Sequence, residues 1–293
     1  MGGGNPGSRR ALPWRNRDQR HRHANGIRSM LTRPQPAWLR GQGDSVTPTR
    51  RGLLVGGGAC LLTAAVGETA SARQRRVPAH TDTTDDRRRV DPDAVFAVAG
   101  PRRIALTFDD GPDPAYTPAV LTALAAAGVH ATFFLIGRNA ERYPDLVDAI
   151  RAGGHTIGNH THDHLWLDAL ARPAIDAQLT TTQRTLVTLG ATPGDRFRPP
   201  RGWTSPAVVA STAAAGLRCY YWTLCLESRL KDGPAAGARS LLGDLESGAI
   251  VLMHDGGHLD GPNPQSIDRS RTVAALPAII DGIQQRGFTP VTL

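Results

Sequence analysis

Four short motifs, taken in chain order, carry residue types able to do hydrolytic chemistry. They are Thr107-Phe-Asp-Asp-Gly-Pro112, Asn159-His-Thr-His-Asp-His164, Arg198-Pro-Pro-Arg-Gly202 and Leu252-Met-His-Asp-Gly-Gly257. Asp109 and Asp110 are adjacent carboxylates, which repel one another at the end of a buried strand unless a cation relieves them. One acid can then ligate the cation while the other accepts a proton. The plain alternative is a turn, which Asp, Gly and Pro all favour. His160 and His164 are four residues apart, a spacing that on a helical turn sets both on one face and His162 on another. Joined by a carboxylate, such a pair suits Zn²⁺ or a similar divalent ion, with positions left open for water and substrate. A solvated histidine-rich loop is the competing reading. Arg198 is followed by two prolines that stiffen the backbone, and a guanidinium so aimed holds a carboxylate bidentately and keeps it ionised. His254 ends the apolar run Ile250-Val-Leu-Met253, where it can pass a proton to a leaving group near neutral pH. His155, at a strand start, reads as a packed, hydrogen-bonded side chain, and His258 as an ordinary loop residue.

Residues so far apart in the chain need elements that bring them together. Strands are expected at 104–108, 131–136, 155–158, 217–226, 249–254 and 288–291, and helices at 118–127, 145–152, 174–189, 206–215, 235–246 and 272–285. Alternation of this kind implies parallel strands covered by helices, with a closed or partly closed barrel as the economical solution. Asp109-Asp110, the His160 and His164 pair, and His254 then fall at the C-terminal ends of these strands, and Arg198 follows a further short one, where such sheets converge their polar residues on one mouth. No internal repeat and no second domain are visible.

The charge is uneven. Residues 1–51 hold eleven arginines against Asp18 and Asp44, a net of +9, whereas the whole chain is +8. The basic pI therefore describes the leader, and nucleic acid is not an expected partner. Residues 1–72 read as a disordered basic leader with an export signal. Arg50-Arg51, an apolar stretch over about 52–66 and Ala70-Ser-Ala72 give it a twin-arginine-like form. That stretch is shorter than the ~20 residues a span requires, so no stable membrane span is expected and the protein is expected to be exported, extracellular or associated with the cell wall. A start at Met30 gives a leader of more usual length. Cys60 lacks the aliphatic residue that a lipid-attachment site carries three positions earlier. Residues 73–100 read as a charged linker and 101–293 as the working domain. Cys219 and Cys225, if they share one extended strand, lie about 20 Å apart, so no disulfide is expected.

Taken together, the motifs over residues 100–293 resemble the polysaccharide deacetylases, the NodB-homology domains of carbohydrate esterase family 4. The resemblance implies an α/β fold, a distorted (β/α) barrel, and hydrolysis of N-acetyl groups on glycans containing N-acetylglucosamine, either peptidoglycan or chitin-like chains, with release of acetate. An acetylated polysaccharide is then the partner. The cofactor is one divalent metal ion, Zn²⁺ first, with Co²⁺ or another divalent ion as the alternative. The resemblance also makes Asp109 the general base, Asp110, His160 and His164 the metal ligands, and Arg198 the residue that orients Asp109. The backbone N–H of Arg201, where relatives often carry tyrosine, supports the oxyanion, His254 is the general acid, and Trp222 opens the fourth motif beside the substrate. In that motif the usual aspartate and Asp-Trp pair are replaced by Cys225, Ser228 and Arg229. Glu227 is the nearest carboxylate able to take over support of His254. Arg201 and Arg269 suggest an anionic glycan, or else plain solvent-facing charge. An O-acetyl esterase acting on xylan or another acetylated polysaccharide, and a non-catalytic glycan-binding relative, are the competing functions.

Overall fold

The computed structural model describes residues 90–257 and 268–293. The readings of the leader, of Met30 and Cys60, of linker residues 73–89 and of His258 lie outside these residues.

Strand β1 (Arg103–Asp109) sits inside the sheet. From Ile104 onward it is buried on both faces, as a parallel strand covered on each side must be. Its period of two separates its roles. Ile104, Leu106 and Phe108 join the main apolar cluster, while Ala105, Thr107 and Asp109 face the other way. The strands β2 (Thr132–Leu135), β3 (Thr156–Asn159), β4 (Arg196–Phe197), β5 (Arg218–Cys219), β6 (Leu224–Cys225), β7 (Ile250–His254) and β8 (Thr289–Val291) complete a parallel sheet in the order β5-β4-β3-β2-β1-β7-β6. Strand β8 pairs with the start of β1. Helices α1 (Thr117–Ala126), α2 (Gly137–Arg142), α3 (Pro144–Ala152), α4 (Arg172–Thr188), α5 (Pro206–Ala214), α6 (Pro234–Gly243) and α7 (Ser270–Gln285) are the crossovers. Of these, α1, α3, α4, α5 and α6 carry proline in their first turn, where its missing N–H leaves no helical bond unmade and its fixed φ suits the helix.

The partly closed alternative is the one observed, and one expected element is corrected. The apolar run 217–226 is two short strands, not one. β5 pairs with β4 and β6 with β7, so they end opposite sides of the sheet. The curl of the sheet lets residues 220–223 pass from one edge to the other, and an apolar run carries no record of which edge it joins. Cys219 and Cys225 therefore lie on different strands, and both are free thiols. Residues 94–98, placed in the linker by their sequence context, also pack here. Val95 bridges to Tyr220, Val98 N donates to Gly248 O, and the Phe96 ring stacks on Tyr221 at 4.9 Å. Among the described residues no helix is long and apolar enough to cross a membrane.

Candidate metal and catalytic centre

The same two-residue alternation delivers the site. In β1 and β7 the register pairs Asp109 with His254, and in β1 and β2 it pairs Asp109 with Phe134. Val251 and Met253 belong to the helix-side core, so His254 leaves β7 on the inner face together with Asp109. Asp109 and Asp110 are almost wholly buried, as are His160 and His164.

Arg198, fully buried, anchors Asp109. Its Nη1 donates to Asp109 Oδ1 at 2.7 Å and to Thr107 Oγ1 at 2.8 Å. The bidentate grip expected from sequence is corrected, because Nε and Nη2 are taken by the carbonyls of Tyr220 and Tyr221 at 2.9 and 3.1 Å. The guanidinium also lies over the Phe134 ring, 4.2 Å from its centroid. With its donors engaged on every side, Arg198 has one orientation, and burial is compensated by bonds in place of water.

His160 and His164 do converge, but not on a helical turn. Strand β3 ends at Asn159, and the loop that follows puts Thr161 at φ 67 and His164 at φ 57. Left-handed backbone is unfavourable for a β-branched residue such as threonine, and local bonds hold it there. Asn159 Oδ1 accepts from Thr161 N, Thr161 Oγ1 accepts from His164 N, and Gln178 Oε1 accepts from the N–H groups of His162 and Asp163. Asp110 and Arg201 are left-handed as well, at φ 72 and φ 60, so backbone strain gathers around this one mouth.

The side chains of Asp110, His160 and His164 each offer one ligand atom, and these atoms lie within 4.8 Å of one another. Asp110 Oδ1 is 3.4 Å from His160 Nε2 and 3.3 Å from His164 Nε2. His160 Nδ1 is 2.7 Å from the carbonyl of Arg198. A carbonyl only accepts, so Nδ1 carries the hydrogen, and in the neutral ring the Nε2 lone pair is turned toward Asp110. A carboxylate oxygen facing two imidazole nitrogens is a donor set that fits a divalent cation.

His254 lies beside this trio, with Nε2 at 4.0 Å from Asp110 Oδ2 and Nδ1 at 3.0 Å from Glu227 Oε1. Glu227 also accepts from Thr272 Oγ1 at 3.1 Å. Burial opposes charge on His254, but the neighbouring carboxylates of Glu227 and Asp110 outweigh it and raise its pKa. Glu227 resists burial in turn and, through His254, titrates below the usual glutamate range. A glutamate five residues after Trp222 thus stands beside the histidine where the fourth motif has lost its aspartates.

Other expectations meet different fates. His155 is packed as read: its Nδ1 accepts from Ala131 N at 3.2 Å, and burial, with His130 nearby, lowers its pKa to about 4. The Arg201 guanidinium stacks over Trp166 at 4.0 Å and donates to His164 O at 3.3 Å, while Trp222 lies 5.7 Å from the Arg198 guanidinium. Arg229 turns away to Ser240 and Asp244. Arg269 is corrected: it neither faces solvent nor is it available to an anionic glycan. It is buried, donating from Nη2 to Asp110 Oδ2 at 3.3 Å and from Nε to Gly256 O at 2.8 Å. Sequence reading also missed Asp255, which accepts from Thr117 Oγ1 at 2.6 Å. Burial raises the Asp255 pKa to about 7, with Asp110 and Asp109 adding to the effect and Thr117 opposing it. The two glycines after Asp255 were the available signal, since they mark a close backbone approach.

Comparison with known proteins points the same way. The family model described as polysaccharide deacetylase matches residues 97–220. A peptidoglycan-N-acetylglucosamine deacetylase of Bacillus cereus is 37% identical over 194 residues, covering 65% of this chain and 85% of that protein. A chitooligosaccharide deacetylase of Sinorhizobium fredii is 36% identical, covering 64% and 89%. Among solved structures, a peptidoglycan N-acetylglucosamine deacetylase superposes with a TM-score of 0.61 at 30% identity over 68% of this chain and 90% of that one. The chain belongs to the polysaccharide deacetylase family, carbohydrate esterase family 4, and is a hydrolase of that kind.

Proposed function

We propose that this protein removes N-acetyl groups from N-acetylglucosamine units of peptidoglycan or a chitin-like glycan, outside the cytoplasm, with Zn²⁺ as its ion. The observation that carries the reading is the meeting of Asp109 and His254, register partners on β1 and β7, beside the Asp110, His160 and His164 trio. The relatives' peptidoglycan and chitooligosaccharide substrates support the glycan class. Arg50-Arg51 and the apolar stretch after them support export, and residues 94–98, which pack with the sheet, join 101–293 in the working domain.

In this mechanism Asp110, His160 and His164 hold the ion. When bound, it supplies Lewis-acid polarisation of the acetyl carbonyl and acidifies a water. Asp109, held in one direction by Arg198, takes a proton from the attacking water as its oxygen bonds to the carbonyl carbon. The backbone N–H of Arg201 supports the negative charge that develops on the carbonyl oxygen. His254, with its Nδ1 on Glu227, donates from Nε2 to the amine nitrogen. The C–N bond breaks, leaving acetate and a free amino sugar. An amine leaves poorly without that proton, so a histidine kept protonated by a neighbouring acid is suited to the step.

Purified protein supplied with Zn²⁺ is expected to release acetate from N-acetylated chitooligosaccharide or peptidoglycan and not from acetylated xylan. Release from xylan alone establishes the esterase reading, and sugar binding without release on either establishes the non-catalytic one. Asp109→Asn is expected to lower turnover by roughly 10²-fold or more while retaining the metal. His160→Ala is expected to lose metal and activity together, by elemental analysis.

A further inference from the structure

Two adjacent carboxylates in this centre are each held by their own buried arginine, and the arginines arrive from different parts of the chain. Arg198, after β4, takes Asp109 Oδ1 at 2.7 Å. Arg269, just before α7, takes Asp110 Oδ2 at 3.3 Å and is tied to Gly256 O at 2.8 Å. Asp110 Oδ1 is left toward His160 and His164. The two guanidinium charges balance the two adjacent carboxylates before any cation enters.

A carboxylate shared with a guanidinium is a weaker donor than a free one. A fixed positive charge also repels a divalent ion in a buried place, where such interactions are poorly screened. Most partners behind metal ligands are carbonyls or carboxylates that strengthen the ligand; a guanidinium acts in the opposite sense. We propose that Arg269 is a positioning residue that directs Asp110 Oδ1 to the ion, loosens the ion's binding, and leaves the loaded centre with one more positive charge. This rests on the metal-dependent reading above.

The test is a titration of metal-free wild type, Arg269→Gln and Arg269→Lys with Zn²⁺ in competition with a chromophoric chelator, followed by acetate-release assays on the loaded proteins. Arg269→Gln keeps an N–H donor and removes the charge. It is expected to bind Zn²⁺ about tenfold or more tighter and to turn over about tenfold slower, while Arg269→Lys stays within about threefold of wild type in both. A merely structural arginine gives the reverse sign, so equal or weaker Zn²⁺ binding by Arg269→Gln overturns the proposal. Should that variant fail to fold by circular dichroism, Arg269→Met carries the same expected tightening. A wild type that neither takes up Zn²⁺ nor releases acetate overturns the deacetylase reading itself, and this inference with it.

Discussion

In the proposed mechanism His254 must hold its proton until the leaving group needs it, and Glu227 stands where it favours that proton. Burial works against the imidazolium, yet the carboxylate 3.0 Å from Nδ1 raises its pKa. The working form is protonated, so activity falls as pH rises through the folded pKa. Glu227→Gln removes the negative charge and lowers that pKa. The basic limb of the kcat/KM profile is therefore expected to move to lower pH, with roughly tenfold or greater loss on the plateau. An unmoved basic limb would show that Glu227 does not support His254. The acidic limb is expected to stay in place.

At the scale of elements, the tips of β1 and β7 are one object. Asp255 N donates to Asp109 O, and the chain after His254 runs so close to β1 that a methyl group on Gly256 would stand 2.4 Å from Asp110 O. No flexible side chain can yield there, because the obstacle is backbone. Gly256→Ala is expected to destabilise the fold by about 1–3 kcal/mol in denaturant titration, and to lose far more activity than that change implies. The displaced atoms are those that carry Asp110. A variant with normal turnover would show that this junction does not set the site's geometry.

At the scale of the whole molecule, stability and catalysis are separable. The main apolar core lies between the sheet and its helices, away from the polar inner face that carries Asp110, His160 and His164, so the fold is expected to form without an ion. Chelation is expected to abolish acetate release while far-UV circular dichroism is unchanged. The unfolding free energy is expected to fall by the linkage term alone, about 2.7 kcal/mol for an ion present at 100 times its Kd, and the melting temperature to fall with it. Unfolding on chelation would place the ion among the structural supports. This behaviour is the opposite of small metal-dependent domains, whose folding free energy is their metal binding.

The sequence alone determined the class of fold and the residue types that gather at the candidate centre. Asp109, Asp110, His160, His164, Arg198 and His254 were legible from the set and order of their motifs, each of which alone also reads as a turn, a loop or a surface charge, and the strand–helix alternation was legible because apolar periodicity is local. Tertiary structure decided what depends on contacts between distant segments. The run 217–226 divided between two sheet edges, because edge pairing is set by the curl of the whole sheet. The histidine pair met through left-handed loop residues held by Asn159 and Gln178, not through a helical turn. Arg269 proved to be a buried partner of Asp110 although it lies 159 residues away, and Glu227 stood beside His254 from a position where the family motif has no acid. A side chain's type restricts its chemistry within the chain itself, but its neighbours, and so its charge state and aim, exist only once the chain has folded.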